Sequence, residues 1–228
     1  LDTQTGPHVY RVELFYNNGG DRVGSSDPAS SVFLTAAPND ELVNLSWEAN
    51  TPWTNTDFEI ERFDGVSFVQ IGTSTEPNYV DTGLVNGQEY CYRVKTIGAY
   101  GDPSVAAPLI NFSQEACAVP VDLTPPCPPD LSLDNDCEAP LNTLDWTNPN
   151  NSCADDTWYY NIWFTDSLGG TFVQIGTNIG DDNTHFEHVD GSSVAGCYVI
   201  TAIDSVGNES AYSDTLCGDN CPVYTLPN

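Results

Sequence analysis

Eight cysteines, three histidines and 33 aspartates and glutamates are the groups of this 228-residue chain that could do chemistry. An even cysteine count with neither Cys-x-x-Cys nor Cys/His metal spacing points to disulfides, and so to an oxidising compartment outside the cytoplasm. A nucleophilic cysteine needs a histidine or basic neighbour to lower its pKa, and no such pattern stands beside these. The histidines, His8, His185 and His188, sit in neither a His-Glu-x-x-His nor a Gly-x-Ser-x-Gly motif, and there is no glycine-rich phosphate loop. Asp181 to Asp190 gathers His185, Glu187 and His188, which are transition-metal ligand types. Along a strand, however, side chains alternate, so His185 and His188 would face opposite sides of a solvated polar strand. Asp155–Asp156 and Asp181–Asp182 have the composition of a glycosidase acid/base pair, but that work needs two carboxyls facing each other across a cleft. The chain is expected not to be an enzyme. Trp53, Trp158, Tyr159 and Trp163 could stack on a sugar; Trp53 and Trp158 are the ligand candidates, with filling of a domain end as the competing reading.

Five Lys and Arg against 33 Asp and Glu leave a net charge of -28, which excludes nucleic acid and anionic membrane surfaces as partners, since both are won with cationic side chains. All five basic residues, Arg11, Arg22, Arg62, Arg93 and Lys95, precede residue 96, so residues 120–228 must fold without ordinary salt bridges. No apolar run reaches the ~18 to 20 residues that span a bilayer, and no secretory n- or h-region opens the chain, so direct membrane insertion is not expected. A first residue Leu1 and the lack of Met read as a fragment of a longer protein whose export signal lies elsewhere.

The elements that must position these groups are repeated. Phe68-Val-Gln-Ile-Gly-Thr73 recurs identically as Phe172 to Thr177, and around it Leu45-Ser-Trp47 matches Leu144-Asp-Trp146, Phe58-Glu-Ile60 matches Tyr160-Asn-Ile162, and Cys91-Tyr92 matches Cys197-Tyr198. Tyr10-Arg-Val12 repeats Tyr92-Arg-Val94 with a similar Gly/Asp turn behind it. The reading is 1–34 as the C-terminal hairpin of a truncated preceding module, then complete modules at 35–119 and 120–228. Short alternating apolar and polar runs, broken every ~8 to 12 residues by Gly, Pro, Asn or Asp, give an all-β class with no helical pattern. Seven strands are expected in the first complete module, near 34–38 (A), 42–48 (B), 56–63 (C), 67–72 (C′), 78–81 (E), 89–97 (F) and 106–113 (G). Four prolines between Val121 and Pro129 hold the linker extended.

Trp47 on the second strand, with Leu84-x-x-Gly87-x-x-Tyr90-x-Tyr92-x-Val94 entering the sixth, resembles fibronectin type III modules and their tyrosine corner. The resemblance implies tandem immunoglobulin-like β-sandwiches cross-linked by disulfides. Alignment puts Gly196 where Tyr90 stands, so something else must hold the corner of the second copy. Strand directions in such a sandwich imply bridges Cys91–Cys117, Cys197–Cys217, Cys127–Cys153 and Cys137–Cys221, with an exchange of Cys217 and Cys221 as the nearest competitor. Each would add roughly 3 to 4.5 kcal/mol by loop entropy and help offset the missing corner. The same topology carries Asp122, Asp155, Asp156 and Asp204, with Asn208 and Glu209, toward one pole near Asp40, Asp64 and Glu115. Ca²⁺ is therefore the cofactor candidate, and solubility of an acidic surface is the alternative.

The ending, Cys217 to Asn228, resembles the segment before the sorting domain of large type IX-secreted, gliding-motility-associated surface proteins of Bacteroidota. Asp166-Ser-Leu, Asp204-Ser-Val and Asp214-Thr-Leu resemble the short O-glycan acceptor pattern of that group. These resemblances imply a non-catalytic stalk of a cell-surface adhesin, outer-membrane associated, in gliding or attachment. Its partners would be the secretion and gliding machinery, reached through an adjacent sorting domain, and an extracellular polysaccharide or surface ligand. The alternative is an accessory or carbohydrate-binding module of a secreted polysaccharide-degrading enzyme.

Overall fold

The computed structural model describes residues 5–16, 18, 20–136, 141–189 and 194–219. Among these the regular structure is all strand apart from one 3₁₀ turn. The chain divides into two compact units, one ending at Asp122 and the next starting at Leu123.

The first unit opens with β1 (Val9–Tyr10), β2 (Glu13–Tyr16), β3 (Asp21–Ser25) and β4 (Ala29–Ser30); β1 pairs with β4 and β2 with β3, both antiparallel. A sandwich follows, built from β5 (Phe33–Asn39), β6 (Leu42–Glu48), β7 (Thr54–Phe63), β8 (Phe68–Ser74), β9 (Asn78–Thr82), β10 (Tyr90–Ala99), β11 (Leu109–Phe112) and β12 (Ala116–Ala118). One sheet has the order β5-β6-β9. The other runs β11-β10-β7-β8, with β12 also pairing with β10. Alternation sets the faces: along β6 Val43, Leu45 and Trp47 are buried while Asn44, Ser46 and Glu48 are exposed. Leu34, Val43, Leu45 and Trp47 from one sheet pack with Phe58, Ile60, Tyr92 and Val94 from the other. Burying such a side chain contributes ~1.5 to 3 kcal/mol.

The second unit repeats this plan with β13 (Leu131–Asp136), β14 (Leu141–Trp146), β15 (Thr157–Thr165), β16 (Val173–Ile179), β17 (His185–Val189), β18 (Gly196–Asp204) and β19 (Leu216–Gly218). Its sheets run β13-β14-β17 and β16-β15-β18-β19. Leu144, Trp146, Tyr160, Ile162, Tyr198 and Ile200 form the core. The repeated residues hold equivalent contacts: Trp47 meets Phe58 edge-on at 5.1 Å, and Trp146 meets Tyr160 at 5.3 Å. In the shared hexapeptide the glycine is required sterically. A Cβ at Gly72 would stand 2.5 Å from the Tyr79 hydroxyl, and one at Gly176 would stand 2.7 Å from the Phe186 ring.

The all-β sandwich class holds, and strand edges fall within a few residues of expectation except at the last strand. In place of one strand at 106–113 there are two pieces, β11 and β12. Ser113 stands in the break, where its hydroxyl accepts the Val94 N–H at 2.9 Å and donates to the Gln114 carbonyl at 2.7 Å, side-chain bonds that take over from the backbone ladder. In the second unit the Ser213 hydroxyl accepts from Ile200 N–H and the Ser210 hydroxyl from Ala202 N–H, both at 2.9 Å.

Candidate functional site

Cys91 and Cys117 face each other across the β10–β12 ladder and are bonded, as are Cys197 and Cys217 across β18 and β19. Cys127, ahead of β13, is bonded to Cys153, just past the 3₁₀ turn Pro149–Asn151. No cysteine among the described residues is free. Cys137 and Cys221 lie outside the described residues. The bonded sulfurs have no thiol to offer as nucleophile or metal ligand. Three disulfides mark a secreted, extracellular type of domain, and no helix among the described residues is long and apolar enough to cross a membrane.

The sandwich corners show how one fold is held by two chemistries. In the first unit the Tyr90 hydroxyl accepts the Val85 N–H at 3.0 Å, closing the tyrosine corner. Deeper, Arg62 donates to Asp81 at 2.7 Å and the fully buried Tyr92 donates to the same carboxylate at 3.0 Å. Burial and the Asp81 charge push the Tyr92 phenol far above its ordinary range. Burial works against the Arg62 cation, but the hydrogen bond and charge of Asp81 hold its pKa above the ordinary value.

Strand register places Asn142, His188, Phe164 and Tyr198 where the first unit has Val43, Asp81, Arg62 and Tyr92. Without an arginine, the second unit builds a network that contains no carboxylate. Tyr198 donates to the Val194 carbonyl, four residues upstream, at 3.1 Å, accepts from the Asn142 amide at 2.8 Å, and lies 2.7 Å from His188 Nδ1. Asn142 also donates to Val194 O at 2.7 Å. Tyr198 therefore closes the corner that Gly196 cannot. Sequence reasoning placed a substitute there but did not find it; the available signal was polar Asn142 and His188 at positions occupied by Val43 and Asp81 in the first copy.

Removing the Tyr198 hydroxyl strips three partners at once. Tyr198→Phe should cost the second unit about 2 kcal/mol, against about 1 kcal/mol for Tyr90→Phe in the first. Denaturant titration with a probe in each unit checks this, and equal losses would assign the corner elsewhere.

The acidic candidates mostly serve their own loops. Asp204 is buried, and its Oδ1 accepts the N–H groups of Val206, Gly207 and Asn208, while Oδ2 accepts from the Asn208 amide. Asp156 accepts from the Ser205 hydroxyl at 2.8 Å, and Asp155 is exposed. A carboxylate oxygen of Asp156 lies within 4.8 Å of one of Asp204. Asp122 belongs to the first unit. Asp64 caps its turn by accepting from Ser67 and Val66, bonds that hold its carboxyl below the usual range; Asp181 is lowered in the same way by the Asn150 and Asn148 amides. Asp40 accepts from Asn86, and Glu209 from Thr201.

His185 and His188 face opposite ways, as alternation requires. His188 turns inward to Tyr198, whereas exposed His185 pairs with Asp145 at 2.7 Å. The Asp145 hydrogen bond raises the His185 pKa above 6.5. A raised cationic pKa stabilises the fold below 6.5, and that contribution fades as pH climbs through the raised value. Both partners are over half exposed, so solvent and salt keep it small. Titration by NMR should place the His185 midpoint above 6.5 and Asp145→Asn should lower it; a midpoint at or below 6.5 contradicts the pairing.

The aromatic candidates separate. Trp53 is half-buried, edge-on to Tyr100 at 6.0 Å, with Nε1 donating to Asn55 at 3.0 Å, and it lines an open groove of about 480 Å³ with Trp47, Phe58 and Pro77. Trp158 is 58% exposed beside the Asp204–Gly207 turn. Trp163 donates to the Thr201 hydroxyl and stands edge-on to Tyr212 at 5.8 Å, a covering for the outer face of β18. Trp53 belongs to the first unit, and Trp158 and Trp163 belong to the second.

No family model matches the chain. It is similar to Endoglucanase B of Cellulomonas fimi, with 24% identity over 201 residues that span 88% of this chain and 18% of that protein. Among solved structures it is similar to a two-domain fibronectin type III segment of chicken tenascin, at 17% identity and TM-score 0.41, covering 81% of this chain and 95% of that one. It is also similar to the chicken CNTN1 FN1–FN3 domains, at 15% identity and TM-score 0.38, covering 82% and 64%. Strand order, with a three-stranded sheet facing a five-stranded one in the first unit and a four-stranded one in the second, makes both units of this chain fibronectin type III-like sandwiches.

Proposed function

We propose that the chain is a non-catalytic spacer in a larger exported protein, setting apart the parts that bind or react. The observation that supports this most is where the chemistry goes. The described cysteines are spent in bridges, and the buried polar side chains Asp81, Tyr92, Asn142, Tyr198 and Asp204 bond within their own unit. In this reading the larger protein is a surface adhesin, held at the outer membrane and reached by type IX secretion and gliding machinery. That context is supported by the tail from Cys217 and by the acidic, disulfide-bonded composition. Exchanging the chain for an unrelated two-module spacer within the full-length protein tests it. Retained attachment or gliding supports the spacer; loss despite normal export overturns it.

The similarity to an endoglucanase favours a second context, an accessory or carbohydrate-binding module of a polysaccharide-degrading enzyme. Exposed Trp158 and half-buried Trp53 are the residues to test. Binding on a glycan array that Trp158→Ala or Trp53→Ala abolishes supports this context, and flat binding removes it.

A further inference from the structure

The first four strands carry the bonds of a sandwich edge without the sandwich. The Val12 N–H donates to the Ser26 hydroxyl at 3.0 Å, that hydroxyl donates to the Asp27 carbonyl at 2.9 Å, and Ser26 N–H donates back to Val12 O at 2.8 Å. Val94, Ser113 and Gln114 make the same three bonds in the first complete sandwich, and Ile200, Ser213 and Asp214 make them in the second. Register agrees: Tyr10 lies opposite Ala29 as Tyr92 lies opposite Ala116 and Tyr198 opposite Leu216. Val9 and Ser30 hold the places of the bonded pairs Cys91–Cys117 and Cys197–Cys217.

What differs is the other side. β10 and β18 each pair on their second edge with β7 and β15, and Tyr92, Val94, Tyr198 and Ile200 are 0% exposed. Among the described residues β2 pairs with β3 alone, while Tyr10, Val12, Leu14 and Tyr16 are 49%, 73%, 64% and 66% exposed. Three identical hydrogen-bond devices do not arise from loop geometry, and alternate apolar residues on one strand face are the pattern of a face meant for burial.

We infer that the stretch from His8 to Ser31 is the last hairpin of a third sandwich, and that its open apolar face seats strands supplied by polypeptide preceding this chain in the full-length protein. The occupant has the size and pattern of the segment that does this in the first complete sandwich, Phe33 to Thr82. In both complete copies the strands that cover the hairpin come earlier in the same polypeptide, so the occupant is the preceding segment and not a second copy. The inference stands on repeat geometry and does not depend on the spacer reading.

Hydrogen exchange read by mass spectrometry tests it on this chain and on a version extended upstream with the gene's own sequence. Amides of β1 and β2 should exchange at least ~100-fold more slowly in the extended chain. Val12→Asp should leave the melting of the present chain unchanged and abolish that added protection. Equal exchange in both chains overturns the inference. So does concentration-dependent protection of the present chain alone, which would assign the face to a second copy.

Discussion

Adding reductant to the intact chain is expected to lower the melting transition of the second unit at least about twice as far as that of the first. Cys127–Cys153 and Cys197–Cys217 close separate loops of 26 and 20 residues in the second unit, and Cys91–Cys117 closes one of 26 in the first. Loop entropy assigns about 3 to 3.5 kcal/mol to each, hence about 7 kcal/mol against about 3.5. The loops do not overlap, so the contributions should add. A domain of this size has only ~5 to 15 kcal/mol in total, so the reduced second unit should sit near its unfolding threshold. Calorimetry with and without reductant reads both transitions. A larger fall in the first unit, or none in either, would mean that the bridges decorate sandwiches already secured by their cores.

The second large effect is at Gly196. Installing the tyrosine that the first copy carries there, Gly196→Tyr, should destabilise the second unit by about 3 kcal/mol or more, although it restores the repeat's own residue. A Cβ at Gly196 would come 2.3 Å from the Thr165 carbonyl oxygen and 2.4 Å from the Phe164 ring, neither of which is a flexible tip. In the first unit the matching position to Phe164 is Arg62, whose guanidinium lies 5.5 Å over the Tyr90 ring. The two copies thus fill one space in opposite senses, arginine with tyrosine or phenylalanine with glycine. Phe164→Ala should recover part of the loss in the double variant, and strictly additive losses would show that the two positions do not share that space.

This exchange explains what could be read from the sequence and what could not. The hexapeptide at Phe68 and Phe172, Trp47 with Trp146, and alternation along β6 were sufficient for the class and most strand positions, because period-two burial is written into side-chain order. The break after β11 was hidden, since a serine hydroxyl replacing a ladder acceptor looks like any other polar residue at a strand end. Tyr198 was hidden for a related reason. Its counterpart Tyr92 serves a buried carboxylate, and only the register of β14 with β17 shows that Asn142 and His188 stand where the first copy has Val43 and Asp81. The absence of an Asp81 counterpart accords with a half-chain lacking Lys and Arg, whose buried Asp204 is held by N–H groups instead of a cation. The acidic residues were grouped by charge in the sequence, yet Asp64 and Asp204 are occupied by the N–H groups of their own turns.

Pulling the oxidised chain from its two ends in a single-molecule force experiment puts the tandem, stapled design to its most direct test. Two discrete unfolding steps should appear, and both should lengthen when reductant releases the residues held inside the disulfide loops. A featureless extension, or steps whose lengths ignore reductant, would contradict it.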